Sequence, residues 1–217
     1  MAGTRYPMIS HEIRPTLLVL VLLGSVLLHL SLWYVTLILF LLAGVLAWMF
    51  RDPEREIPSQ PLAVISPVDG EVVSVATLPN PYIEEDSIRI SLKMTMASVF
   101  RIRSPMEGKV LQRWFLLPGD PLPMQQGAVF RLQISNLIQS DEGDNVVLTM
   151  RHCTRRFTPR CDIQVGERIG QGQRCGIIPF GAVVDLYIPQ NARITVSEGD
   201  SVKAGSDIVA QLSRHEE

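Results

Sequence analysis

The chain has 217 residues, 47% of them hydrophobic, and 20 basic against 22 acidic side chains give a net charge of −2. That length suits one compact domain with an appendage, and the balanced charge excludes the global basic field that nucleic-acid binding draws on. Its three cysteines, Cys153, Cys161 and Cys175, form no C-x-x-C pair, a pattern of reduced, packed thiols in a cytoplasm-facing domain.

From Thr16 to Phe50 there is no Asp, Glu, Lys or Arg. A secretory signal has an apolar region of only about 7–15 residues, and one membrane span takes about 20, so this run lies between one span and two. Trp33 and Trp48 would stand about 22 Å apart along a helix, a spacing that suits two interfacial belts. The run therefore predicts a transmembrane helical hairpin: a first helix over about 16–28, a polar turn at 29–31 and a second helix over about 32–50. A single tilted helix is the alternative. Arg14 precedes the run, and Arg51 and Arg55 follow it, which places both ends on the cytoplasmic side of the cell's inner membrane. His29, alone in the apolar run, suits a loop or interfacial position.

The stretch Phe50-Arg51-Asp52-Pro53-Glu54-Arg55-Glu56-Ile57-Pro58 closes the hairpin, because Pro53 and Pro58 stop helix propagation. Two domains follow from this: 1–58, hairpin and junction, and 59–217. Beyond Leu62 come short β-branched or alternating runs separated by Gly, Pro, Asn and Asp: 72–75, 87–92, 99–102, 110–117, 129–134, 146–150, 177–188 and 208–212. No stretch sustains a 3.6-residue period, so this domain reads as all-β.

Two turn motifs recur. Ser66-Pro67-Val68-Asp69-Gly70-Glu71-Val72 matches Ser104-Pro105-Met106-Glu107-Gly108-Lys109-Val110, and the stretch Gly166–Gly172 matches Gly199–Gly205. Turn chemistry accounts for both, and such pairs resemble the quasi-duplicated turns of barrel-sandwich hybrid domains. A carrier role would need a lysine at an exposed hairpin tip, and neither Lys109 nor Lys203 has that context.

The stretch Gly176-Ile-Ile-Pro-Phe-Gly-Ala-Val-Val-Asp-Leu-Tyr-Ile-Pro189 resembles the self-cleavage site of phosphatidylserine decarboxylases. The Phe50–Pro58 junction resembles the one in their shorter, membrane-anchored members. In that family the chain is cut between the glycine and serine of Phe-Gly-Ser, and the serine becomes an amino-terminal pyruvoyl group. The aspartate of Ser-Pro-x-Asp-Gly orients a histidine, which activates the serine. The resemblance puts that aspartate at Asp69, the histidine at Phe100, a second histidine of some relatives at Arg103, and the cleavage site at Gly181–Ala182. Phenylalanine cannot titrate, arginine stays protonated, and alanine has no hydroxyl. Pro179 and Val183 stand where the family carries arginines, and its Glu-Arg-Asn segment reads Gly143-Asp144-Asn145. His152 fits a surface or satisfied histidine.

These losses together imply a non-cleaving relative linked to phospholipid metabolism, with no metal and no cofactor, since a pyruvoyl group cannot form from Ala182. The partners implied are membrane phospholipid, with a protein or a second copy of the chain also open, and no nucleic acid. The alternative is a working decarboxylase, making phosphatidylethanolamine and carbon dioxide from phosphatidylserine, whose serine has been replaced at Ala182.

Overall fold

Apolar residues with no helix breaker between them give two helices at the start of the chain, α1 (Arg14–His29) and α2 (Trp33–Met49). Pro15 sits in the first turn of α1, where its fixed φ and missing N–H cost nothing. The computed structural model describes residues 13–30, 32–95, 98–117, 132–152, 159–178 and 182–213. The chain divides into two compact units, Met1–Glu54 and Arg55–Glu217.

In the first unit the helices meet along small residues. A Cβ at Gly24 would lie 3.3 Å from the Phe40 ring, and the buried Thr36 hydroxyl donates to the Leu32 carbonyl at 3.1 Å. The outward positions are apolar too, with Leu18, Leu22, Trp33 and Leu41 all exposed. Two helices thus stand close to the bounds predicted for the hairpin, over 14–29 and 33–49. Their 16 and 17 residues fall short of the roughly 20 that a full crossing takes. Among the described residues no helix is long and apolar enough to cross a membrane.

The second unit is built from short strands, as the alternating runs predict. One three-stranded sheet joins β1 (Ala63–Ile65), β14 (Ile208–Gln211) and β12 (Arg193–Ile194), with β14 in the middle. Its counterpart joins β4 (Arg101–Arg103), β10 (Arg174–Ile177) and β8 (Arg160–Cys161), with β10 in the middle. The remaining strands are β2 (Gly70–Pro79), β3 (Asp86–Lys93), β5 (Gly108–Leu116), β6 (Leu132–Gln139), β7 (Asn145–His152), β9 (Arg168–Ile169), β11 (Val183–Pro189) and β13 (Ser201–Val202). They form one eight-stranded sheet in the order β13-β2-β3-β11-β7-β6-β5-β9.

That order reads the same from both edges if the two halves are exchanged. The registers obey the exchange as well: Ala63 faces Gln211 and Ile65 faces Ile208, as Arg101 faces Ile177 and Arg103 faces Arg174. The repeated motifs occupy equivalent turns. Ser66 Oγ donates to the Val68 carbonyl and Ser104 Oγ to the Met106 carbonyl, each at 2.7 Å. Gly199 and Gly166, both near φ +90°, donate to the carbonyls of Val72 and Val110 at 2.8 and 2.7 Å. Even the register shifts match, at Val72/Ser74 and Val110/Gln112. Leu186 faces Leu148 across the centre of the sheet, on the internal two-fold.

One half runs continuously from β4 to β10, and the other is assembled from chain on both sides of it. The run 177–188, read from sequence as one broken strand, is therefore two strands in different sheets. Pro179 and Gly181, which lie outside the described residues, separate them in sequence. The run 129–134 is described only from Leu132 onward.

Alternation along the central strands gives the big sheet two characters. Ile90, Leu92, Leu148, Met150, Val184 and Leu186 are each at most 1% exposed and make the apolar core face. The other face carries a row of polar residues, Ser91, Asp185, Thr149 and Ser135, in register across β3, β11, β7 and β6.

Candidate functional site

The Ser66–Gly70 turn presents Asp69 beside the second repeated turn. The Ala204 N–H donates to Asp69 Oδ1 at 2.7 Å, and Arg55 Nη2 donates to both carboxylate oxygens at 2.9 and 3.3 Å. Arg55, a membrane-flanking charge on sequence grounds, is thus the charged partner of Asp69, and its neighbour Ile57 lies against Gly172. Nothing in sequence spacing linked Arg55 to Asp69; only the closeness of the junction to the first turn motif hinted at it.

Arg103 belongs to the same cluster. Its backbone N–H donates to the Pro67 carbonyl at 2.9 Å, and its Nη1 donates to the Gly172 carbonyl at 3.1 Å. A Cβ on Gly205 would lie 2.6 Å from its Cδ. The guanidinium is buried and committed to structure, and an arginine in that state neither accepts nor shuttles a proton.

Phe100 is 1% exposed, and its carbonyl accepts the Ile178 N–H at 2.9 Å. Ala182 is fully buried, and its carbonyl accepts the Met94 N–H at 2.9 Å, extending the β3–β11 ladder by one bond. Backbone bonds therefore anchor Ile178 and Ala182, on either side of residues 179–181, to chain next to β4 and β3. Gly181 itself lies outside the described residues, as does Cys153, and the side chain of His152 is not described. Asp69 and Arg103 share one turn cluster, and Phe100 and Ala182 are both tied into strand ends.

The polar row on the big sheet begins three residues beyond Ala182. Asp185, 1% exposed, accepts Ser91 Oγ at 2.6 Å and Arg151 Nη2 at 2.8 Å on Oδ1 and 2.7 Å on Oδ2. Beside it the Tyr82 hydroxyl meets Ser135 Oγ at 2.8 Å and Thr149 Oγ1 at 3.3 Å, and Gln133 Nε2 also donates to it. The Tyr82 ring lies 5.0 Å from Trp114 and edge-on to Tyr187. Burial raises both phenols above the ordinary tyrosine value, and the nearby Asp185 charge pushes the same way. Cys175, fully buried, is held as a thiol by desolvation. In the sequence Asp185 stands among apolar residues, Val183, Val184, Leu186 and Tyr187, and local spacing names no cation for it. The alternation Val147–Thr149–Arg151 was the available signal. Among the described residues no group of three or more His, Cys, Asp or Glu is arranged to hold a metal ion.

Residues 42–210 match the family model for phosphatidylserine decarboxylase. The chain is 37% identical over 172 residues to a protein of Burkholderia ambifaria (strain MC40-6) named phosphatidylserine decarboxylase proenzyme, covering 76% of this chain and 78% of that one. Proteins of the same name from Aromatoleum aromaticum and Nitrosomonas eutropha are 34% identical over 170 residues and 31% identical over 188. Those alignments cover 75% and 83% of this chain and 76% and 84% of the relatives. No solved structure matches the chain.

Proposed function

This chain belongs to the phosphatidylserine decarboxylase family, and from that premise we propose that it is a non-cleaving, membrane-associated member that serves phospholipid metabolism by binding lipid. The observation that carries this reading is Phe100. Where the resemblance puts the base, a phenyl ring stands 1% exposed, with its backbone bonded to Ile178. A general base contributes about 10²–10⁴-fold to such a proton transfer, and this ring has no nitrogen to supply it.

The pyruvoyl group of the family does not fit the residues present. It is made from a serine, and Ala182 offers a buried methyl with no oxygen to attack the preceding carbonyl. Asp69, which in the family orients the histidine, is engaged by Arg55 and the Ala204 N–H instead. No step through a pyruvoyl group follows from this set.

The helical hairpin provides the membrane contact in this reading. Its outward Leu and Trp side chains favour an apolar solvent, and entry and exit from one face suit helices of about 24–26 Å. The β-domain then stands at the cytoplasmic surface of the inner membrane, with arginines flanking the hairpin.

The test is to mix the full-length protein with vesicles containing phosphatidylserine. Co-sedimentation without formation of phosphatidylethanolamine is the expected result. Phosphatidylethanolamine production, or protein left wholly in the supernatant, contradicts the proposal.

A further inference from the structure

Two halves meet in the β-domain: the continuous run from β4 to β10, and the chain on both sides of it. At the centre of the big sheet β11 and β7 join them. Away from that ladder the halves touch through their turns. The Arg103 N–H donates to the Pro67 carbonyl at 2.9 Å, and its two-fold counterpart Ile65 donates to the Pro105 carbonyl at 2.8 Å.

A third piece of chain lies over this joint. Arg55 holds Asp69 in one half, and two residues later Ile57 rests on Gly172 in the other. Gly172 has φ +69°, and a Cβ there would stand 2.7 Å from Ile57 Cδ1, so glycine serves both the turn and the seat. Side chains two apart in an extended chain point to one side, and Pro58 biases Ile57 towards that geometry. The Arg55 and Asp69 side chains are only 19% and 16% exposed, so salt screens their pair weakly. The internal two-fold does not repeat the contact. The side chain of Glu107, the counterpart of Asp69, is 70% exposed and lies 3.8 Å from Arg168.

We propose that residues 55–57 are a clasp across this joint, with Asp69 as its positioning residue, and that the clasp couples the N-terminal junction to the packing of the two halves. Arg55 is the first residue of the second compact unit, so no spacer separates the junction from the clasp. Lifting the junction draws Arg55 from Asp69 and Ile57 from Gly172 in one movement, because a single residue lies between them. Both turns then lose a neighbour while β7 and β11 stay paired. The seated clasp holds the turns, and the unseated one lets them open locally. This gives Asp69 a role that needs neither a histidine nor a serine, so the proposal stands or falls apart from lipid binding and self-cleavage.

The test is hydrogen exchange, read by peptide mass spectrometry on the full-length protein in nonionic detergent. Asp69→Asn keeps an oxygen for the Ala204 N–H and removes the charge that Arg55 needs. It should speed exchange about threefold or more over 199–205 and, across the joint, over 166–173, the effect of losing one partly shielded charged hydrogen bond. Arg55→Gln and Ile57→Ala should reproduce that pattern. Arg55→Lys, which keeps a charged nitrogen for the carboxylate, should retain most of the protection. Peptides from β7 and β11 should keep their wild-type rates in every variant, because their ladder does not depend on the clasp. Faster exchange confined to 199–205 in Asp69→Asn overturns the proposal, since the two contacts are then separate. So do unchanged rates in both turns, or an equal rise in β7 and β11, which marks general loosening.

Discussion

Replacing Asp185 by asparagine keeps the volume of a side chain at the centre of the sheet and removes its charge. Asp185 is 1% exposed, and the Arg151 side chain that meets it at 2.7 Å is 12% exposed. The substitution leaves the arginine charge in the interior with one counter-charge fewer. Removing one member of a buried ion pair costs about 3–5 kcal/mol. The asparagine oxygen can still accept from Ser91, which places the expected loss near the lower end, about 3 kcal/mol. For a folding unit of this size each kcal/mol moves Tm by about 2–4 °C, so the drop should be roughly 6–12 °C. Thermal and urea unfolding of the full-length protein, followed by the β-sheet circular dichroism, reads this directly. The double variant Asp185→Leu/Arg151→Met removes both charges and should regain most of the loss. A single-variant loss below about 1 kcal/mol, or a double variant worse than the single, refutes the reasoning that the pair holds the polar row together.

Other consequences follow from the same packing. Gly108→Ala would set a Cβ 2.3 Å from the Gln139 carbonyl oxygen, a backbone atom that cannot swing aside; a loss of about 1–3 kcal/mol is expected in the same unfolding assay. Tyr82 and Tyr187 have raised values because burial disfavours the phenolate. Their contribution is full below the ordinary tyrosine value of about 10 and is lost as pH rises through the raised values, so in an alkaline titration their phenolate absorbance should appear together with loss of the β-sheet signal. Absorbance from these two in the intact fold, isolated by Tyr→Phe variants, contradicts this. Alkylation followed by peptide mass spectrometry should modify Cys161, which is partly exposed with Arg113 Nη2 at 3.1 Å, well before Cys175; equal rates contradict the burial of Cys175.

What was legible in the sequence was mostly local. The Ser66–Gly70 and Ser104–Gly108 turns could be paired by eye because proline, an acidic residue and glycine dictate a turn wherever they stand. The two N-terminal helices were legible, bounds included to within a residue or two, because a charge-free Leu- and Val-rich run has few other solutions. Long-range pairing was hidden. Arg151 finds Asp185, and Arg55 finds Asp69, through sheet register and chain crossing that no local pattern encodes. The two-residue strands β8, β9, β12 and β13 carry no period at all, and only their neighbours define them. Phe100, Arg103 and Ala182 stood out through the family resemblance alone, since Phe100 and Ala182 look like ordinary core residues and Arg103 like an ordinary surface charge.

The measurement closest to the central proposal is the intact mass of the purified full-length protein, taken for the wild type and for Ala182→Ser. A non-cleaving chain gives one mass for the undivided 217 residues in both cases, because a serine at 182 still lacks a base at Phe100. Two fragments from the wild type, or a C-terminal fragment beginning at residue 182 from Ala182→Ser, would contradict it and return the chain to the self-cleaving members of its family.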